Sequence, residues 1–130
     1  MSILNNGPAT ILLIEDESAL LALYSSVLQD FGLNVISVAD GELGFDAILD
    51  NPWDLLLLDI MLPKKDGLEI LKELKQYEDW KKGKVIMMTN LNSEEIINNA
   101  FDLGADGYLI KSEILPDKLI EEVNTFLFGK

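Results

Sequence analysis

The sequence predicts an α/β domain built on a doubly wound, five-stranded parallel sheet, and three observations predict it. Short, continuous apolar runs recur along the chain, amphipathic helical patterns fall between them, and neither a linker nor a repeat divides the 130 residues. A continuous apolar run needs cover on both faces, unlike an alternating one, and that is the mark of a parallel strand sandwiched between helices. Parallel neighbours require right-handed helical crossovers, so five strands alternating with five helices give this architecture. The chain is also long enough to bury a core without disulfides or a structural metal.

The elements follow in order. The run at 11–14 is strand one. Behind it Ala19, Leu20, Leu23, Val27, Leu28 and Phe31 recur at helical steps, with Ser18 as the expected cap and Gly32 as the stop. The run at 35–38 is strand two, and the helix after it, residues 43–50, is the weakest. Gly44 there costs about 1 kcal/mol relative to Ala in an exposed helix interior. The run at 55–58 is strand three, followed by a stripe of Leu68, Leu71 and Leu74. The run at 85–88 is strand four, followed by Ile96, Ile97, Ala100 and Leu103. Residues 108–110 make strand five, and Leu119, Val123, Phe126 and Leu127 the last helical stripe. Pro52, Pro63 and Pro116 fall at junctions, where a missing backbone donor is tolerated. Residues 1–9 read as an N-terminal extension and 10–128 as the domain.

Composition removes whole classes of chemistry. The chain has no Cys and no His, which excludes disulfide frameworks, zinc-thiolate and histidine metal sites, Ser-His-Asp and Cys-His nucleophiles, and a phosphohistidine carrier. Chemistry must rest on carboxylates, hydroxyls and Lys. The formal charge is −13, and all ten cations are Lys, so direct binding to nucleic acid or an anionic membrane is not expected. No apolar stretch is long enough to span a bilayer, and residues 1–10 lack the pattern of a signal peptide; a cytoplasmic protein is expected.

In open α/β sheets ligands bind outside the carboxyl ends of the strands. Here strand one is followed by Glu15, Asp16 and Glu17, strand three by Asp59, strand four by Thr89 and Asn90, and strand five by Lys111. If these edges meet, several carboxylates, a hydroxyl and an ammonium line one shallow pocket. Two carboxylates about 4 Å apart repel by roughly 4 kcal/mol at an effective dielectric near 20, so the cluster calls for a cation. Few carboxylates with retained waters suit Mg²⁺ better than Ca²⁺. Beside such a cation, an exposed carboxylate can act as a nucleophile on phosphorus. Taken singly, each residue has a plainer role: a helix N-terminal charge for Glu15 and Asp16, a cap hydroxyl for Thr89, a turn former for Asp59, a surface ammonium for Lys111. Their placement at four strand ends favours the joint reading.

At these residues the sequence resembles the receiver domain of two-component response regulators, including the stand-alone chemotaxis type. The likeness runs from about Thr10 to Leu127. It is carried by Ile-Leu-Leu-Ile-Glu-Asp-Glu at 11–17, Leu-Leu-Asp-Ile-Met-Leu-Pro-Lys-Lys-Asp-Gly at 57–67, Val-Ile-Met-Met-Thr at 85–89 and Gly-Ala-Asp-Gly-Tyr-Leu-Ile-Lys at 104–111. The resemblance implies a flavodoxin-like (βα)5 fold with sheet order 2-1-3-4-5. It implies a phosphoryl group taken from a histidine kinase or histidine phosphotransfer protein onto Asp59. It further implies Mg²⁺ held by Asp16, Asp59, the Met61 backbone carbonyl and, directly or through water, Glu15. Thr89 and Lys111 would meet the phosphoryl oxygens. Tyr108 would turn inward as Thr89 moves, altering the face of helix four, strand five and helix five. Pro63 and Gly67 would shape the loop after the acceptor strand.

The same likeness implies no turnover beyond assisted phosphotransfer and autodephosphorylation, an unidentified downstream protein target, and a stand-alone monomer or weak dimer. Glu15 stands where Asp is commoner, Asn90 where a small residue is, and Ser112 where Pro follows the Lys; a cis bond at a non-proline costs about 2.5–4 kcal/mol, so that turn is expected to differ. The absence of Arg argues against the charged dimer face of receivers with winged-helix outputs. Three rival readings remain. One is a constitutive interaction module that keeps the fold without switching. Another is a phosphohydrolase of the haloacid-dehalogenase type, which expects an Asp where Met61 stands. The third is an FMN protein, disfavoured because Glu15, Asp16 and Glu17 would repel the phosphate.

Overall fold

The computed structural model describes residues 7–90 and 93–129. Within them β1 (Thr10–Ile14), α1 (Ser18–Asp30), β2 (Asn34–Val38), α2 (Gly41–Asp50), β3 (Leu55–Asp59), α3 (Gly67–Leu74), β4 (Lys84–Thr89), α4 (Glu94–Asp102), β5 (Gly107–Ile110) and α5 (Pro116–Phe128) follow in chain order. The strands form one parallel sheet ordered β2-β1-β3-β4-β5, the order the resemblance implied. Residues 1–6 of the expected N-terminal extension lie outside the described residues.

Successive side chains of a strand point to opposite faces, so each central strand feeds two cores. Leu12, Ile14, Leu56, Leu58, Val85 and Met87 pack with Ile48, Ile70, Leu71, Leu74 and Ala100 of α2, α3 and α4. Ile11, Leu13, Leu55, Leu57, Ile86 and Met88 pack with Tyr24, Leu28, Leu119 and Val123 of α1 and α5. Every residue of β3 is buried. Each such Leu or Ile contributes about 1.5–3 kcal/mol of burial, which is why the central runs were legible as strands.

Three local expectations change. Glu17, with extended backbone, is the N-cap of α1 and makes no side-chain capping bond; Ser18 is already helical. The buried stripe of α1 is Tyr24 and Leu28, while Leu23 and Phe31 stay 45% and 49% exposed. Gly44 is buried, not exposed, and a Cβ there would come within 2.8 Å of the Ile14 side chain, so this glycine lets α2 lie close on β1. Its helix-propensity cost is offset by that packing.

Helix ends are satisfied locally. Asp40 accepts from Leu43 N–H at 2.8 Å to cap α2, and Asp66 with Glu69 forms a capping box at α3. Lys82 Nζ donates to the carbonyls of Ile48, Leu49 and Asn51 at 2.7, 2.9 and 2.7 Å, which serves the C-terminal end of α2. Lysines elsewhere are paired too: Lys64 with Asp40, Lys65 with Glu73, Lys81 with Asp106 and Lys118 with Glu122. Among the described residues, no helix is long and apolar enough to cross a membrane.

Candidate functional site

Four strand ends converge at one edge of the sheet. Glu15 and Asp16 follow β1, Asp59 closes β3, Thr89 closes β4 and Lys111 opens the short 3₁₀ turn after β5. One carboxylate oxygen each from Glu15, Asp16 and Asp59 lies within 4.8 Å of the others. Glu15, Asp59 and Thr89 are buried, at 0%, 1% and 0% exposure, whereas Asp16 faces solvent. Lys111 Nζ reaches into this group, donating to Asp59 Oδ2 at 3.0 Å and lying 2.8 Å from Glu15 Oε1 and 3.7 Å from Glu17 Oε1. The strand ends thus bring together all the charged residues that the sequence pointed to.

The loop after β3 is built around the same carboxylate. Asp59 Oδ1 accepts the Met61 N–H at 3.3 Å, and Gly67 N–H donates to the Ile60 carbonyl at 2.8 Å, folding α3 back toward the strand. A Cβ at Gly67 would stand 2.5 Å from the Asp59 carbonyl oxygen, so the lack of a side chain at Gly67 lets α3 start this close to the strand. The peptide bonds of the described residues are all trans, that of Lys111–Ser112 included. Asn90 is exposed at the end of β4.

Burial pushes the Asp59 carboxyl up to about 7; the hydrogen bond from Lys111 opposes the rise and the Glu15 charge adds to it. Burial works against the charged form of Lys111, but the hydrogen bonds and charges of Glu15 and Asp59 outweigh it and hold the ammonium above its ordinary pKa. Three carboxyl groups thus gather around a single ammonium. Glu15 Oε1 is buried with no aligned hydrogen bond despite its ionic contact. A clustered oxygen donor set with one water-facing member suits a hard divalent cation that keeps part of its hydration, which fits Mg²⁺.

The family described as "Response regulator receiver domain" matches residues 11–124. The chain belongs to that family. As a receiver, it is 45% identical over 101 residues to the transcriptional regulatory protein CpxR of Escherichia coli (strain K12), a match covering 78% of this chain and 42% of that protein. It is 41% identical over 110 residues to the transcriptional regulatory protein CiaR of Streptococcus pneumoniae, covering 82% and 46%. The receiver thus spans less than half the length of these curated relatives. Among solved structures it is similar to the Vibrio cholerae chemotaxis protein CheY4, with a TM-score of 0.85 at 26% identity over 93% of this chain and 100% of that chain. A CheY-like receiver domain protein from Methanospirillum hungatei JF-1 gives 0.84 at 30% identity over 95% and 96%.

Tyr108 is 40% exposed, its ring edge-on to Phe101 of α4 at 6.1 Å. It pairs with Met87 across β4 and β5, while Thr89 pairs with Ile110, so by strand alternation Thr89 and Tyr108 share one face of the sheet. Tyr24 was not singled out from the sequence as a site residue. Burial raises its phenol, with the charge of Lys111 opposing and those of Glu15, Asp59 and Glu17 reinforcing. Nothing in the helical pattern of α1 separates it from its apolar neighbours.

Proposed function

We propose that this receiver takes a phosphoryl group onto Asp59 from the phosphohistidine of a sensor kinase or histidine phosphotransfer protein, and signals through α4, β5 and α5 to a protein partner. The observation that carries the reading is a buried strand-end carboxylate held by Lys111 at 3.0 Å beside two further carboxylates. In the forward step an Asp59 oxygen attacks phosphorus, the P–N bond breaks, and its electron pair goes to the imidazole nitrogen, leaving an acyl phosphate. Lys111 and Thr89 would meet the phosphoryl oxygens. Asp16, Asp59 and the Met61 carbonyl, with Glu15 alongside, would hold Mg²⁺, which when bound draws off charge developing on those oxygens. Water attack on phosphorus then releases phosphate and restores Asp59, so the chain assists its own turnover and processes no other substrate. In the switching step Thr89 is drawn toward the phosphoryl group and Tyr108, on the same sheet face, moves into the space left behind.

Helix α1 supports a helical donor. It carries no charge from Ser18 through Gln29 in a chain of net charge −13, and it exposes Ala19, Ala22 and Leu23 beside the site. A cytoplasmic location goes with a phosphohistidine donor and with a chain that has no Cys.

Beryllofluoride with Mg²⁺, followed by amide NMR, tests the reading. A saturable response centred on Asp59, Thr89 and Lys111 is expected, and its absence in the wild type sinks the mechanism. Proton linkage offers a second check. Asp59, with its carboxyl near 7, must shed its proton to accept a cation, so apparent Mg²⁺ affinity rises up to about tenfold per pH unit below about pH 7 and levels off above it. Calorimetric titrations at pH 6 and pH 8 read this directly; equal affinities would contradict it.

A further inference from the structure

We propose that the hollow at the amino ends of β3, β4 and β5 is a docking site for a short acidic segment of a partner protein, one that carries carboxylates beside a bulky apolar side chain. The site lies on the sheet edge opposite Asp59 and does not depend on the phosphoryl chemistry proposed above. Its charge runs against that of the whole chain. There are ten Lys against 23 acidic residues, yet Lys81, Lys82 and Lys84 all line this one hollow of about 340 Å³. Lys82 is spent on the carbonyls at the end of α2, while Lys81 and Lys84 are exposed. Two acids share the hollow, and each is committed to the start of a strand. Asp54 Oδ2 accepts the Thr10 N–H at 2.7 Å, and Asp106 Oδ2 accepts the Val85 N–H at 2.8 Å and lies 3.0 Å from Lys81 Nζ. Lys84 has no ion-pair partner among the described residues, so its ammonium is open to an incoming carboxylate.

An apolar wall decides what kind of anion fits. Phe126 and Leu127, from the last turn of α5, close one side of the hollow. A Cβ at Gly107 would stand 2.3 Å from the Phe126 ring, and one at Gly83 would stand 2.1 Å from the Asp54 carbonyl oxygen. The ring and the lysine loop reach these positions because both places lack a side chain. A small inorganic anion would leave that wall uncovered. A nucleic acid or an anionic bilayer would set many further charges against a chain of net charge −13. A short segment meets the ammoniums with two or three carboxylates and the wall with one aromatic or aliphatic side chain. The volume suits a single anchor of this kind, since ligand pockets run from about 300 to 1,000 Å³.

Distance gives the site its use. β4 runs from Lys84 to Thr89, so at about 3.3 Å per residue the hollow lies about 17 Å from the carboxyl end of that strand. A segment bound here leaves Asp59 and the exposed surface of α1 uncovered. On the phosphoryl reading, it holds the receiver beside its partner in either phosphorylation state.

The test titrates the peptide acetyl-Asp-Glu-Phe-Leu-Glu-Asp-amide into the whole chain and follows it by amide NMR. Saturable shifts are expected at residues 81–84, 106–107 and 126–127, with affinity at least about fivefold lower in 200 mM than in 20 mM salt. The uncharged counterpart acetyl-Asn-Gln-Phe-Leu-Gln-Asn-amide should bind at least about tenfold more weakly, and Lys84→Glu should weaken the acidic peptide about tenfold, with Lys84→Gln between. Replacing Phe-Leu of the probe by Gly-Gly should also cost about tenfold, through the lost apolar contact. Neither Lys84 substitution removes an ion pair within the described residues, so both variants should keep the wild-type midpoint in urea. Absence of saturable shifts, shifts centred on the acidic edge, equal affinity for any two of the three peptides that include the acidic one, or indifference to Lys84→Glu overturns the site. Beryllofluoride with Mg²⁺ should leave the affinity within about twofold, because the two sheet edges are far apart on the scale of the Debye length. A change of more than about fivefold overturns the claim that docking ignores phosphorylation. The peptide and Lys84 comparisons are made without metal or beryllofluoride, so they decide the site even where the phosphoryl reading fails.

Discussion

Asp59→Asn is expected to abolish uptake of the phosphoryl group and at the same time to make the metal-free protein more stable above neutral pH. The amide has no carboxylate oxygen to attack phosphorus, so incorporation from a small phosphodonor or a kinase is expected to fall about a thousandfold or more. The stability gain follows from the buried charge. Asp59 has its folded-state carboxyl near 7, against an ordinary value of 3.8. A carboxyl raised on folding contributes its stability below the unfolded value, near pH 4, and that contribution is lost as pH rises through the folded value, near 7. Above that pH the wild type keeps an ionised carboxylate among Glu15 and Asp16 at a cost on the order of 3 kcal/mol. Asn does not titrate, so the variant's advantage grows between about pH 4 and 7 and is then level. Urea unfolding at pH 5 and pH 8 should show a gap of about 1–3 kcal/mol at the higher pH, smaller at the lower, and closed or reversed by Mg²⁺, which binds the wild type better. An Asn variant that is labelled at the wild-type rate would remove Asp59 from the chemistry.

Gly41→Ala has the second large effect, through the backbone. A Cβ at Gly41 would stand 1.7 Å from the Lys65 carbonyl oxygen and 2.6 Å from its carbon. Gly41 N–H also donates to the Pro63 carbonyl at 3.3 Å, so the first turn of α2 rests on the loop that runs from Met61 to Asp66. No rotamer change can relieve a clash of main chain with main chain. The helix or the loop must move, at a cost of about 2–4 kcal/mol, read as a lower midpoint in urea. Since the same loop carries the Met61 carbonyl, Mg²⁺ affinity should fall with it. Glu42→Ala, one residue on and exposed, serves as the control and should lie within about 0.5 kcal/mol of wild type. A Gly41 variant as stable as that control would show that the approach of α2 to the loop is not a constraint.

The strands and the acidic edge were legible because they obey rules local in sequence. Leu55 to Leu58 is buried on both faces, and such a strand has little freedom to look like anything else. Glu15, Asp16, Asp59, Thr89 and Lys111 were legible because strand ends in a parallel sheet gather at one edge. What depended on distances between elements was not. Helix α1 is apolar almost all round, so its period could not say whether Leu23 or Tyr24 faces the core. Gly44 read as a propensity defect because the Ile14 side chain beneath it is thirty positions away in the chain. The ion pair between Glu15 and Lys111 and the three carbonyls gathered by Lys82 are likewise products of the fold.

Pairing of the lysines has a consequence for the molecule as a solute. Lys64, Lys65, Lys81, Lys82, Lys111 and Lys118 are each engaged with oxygens of their own chain. A neighbouring molecule in solution meets chiefly the unbalanced carboxylates of a chain whose net charge is −13. Two copies approaching each other behave as like-charged colloids whose repulsion reaches over a Debye length of about 8 Å at physiological ionic strength. Added salt therefore eases contact between copies, whereas it slows encounter with a basic partner.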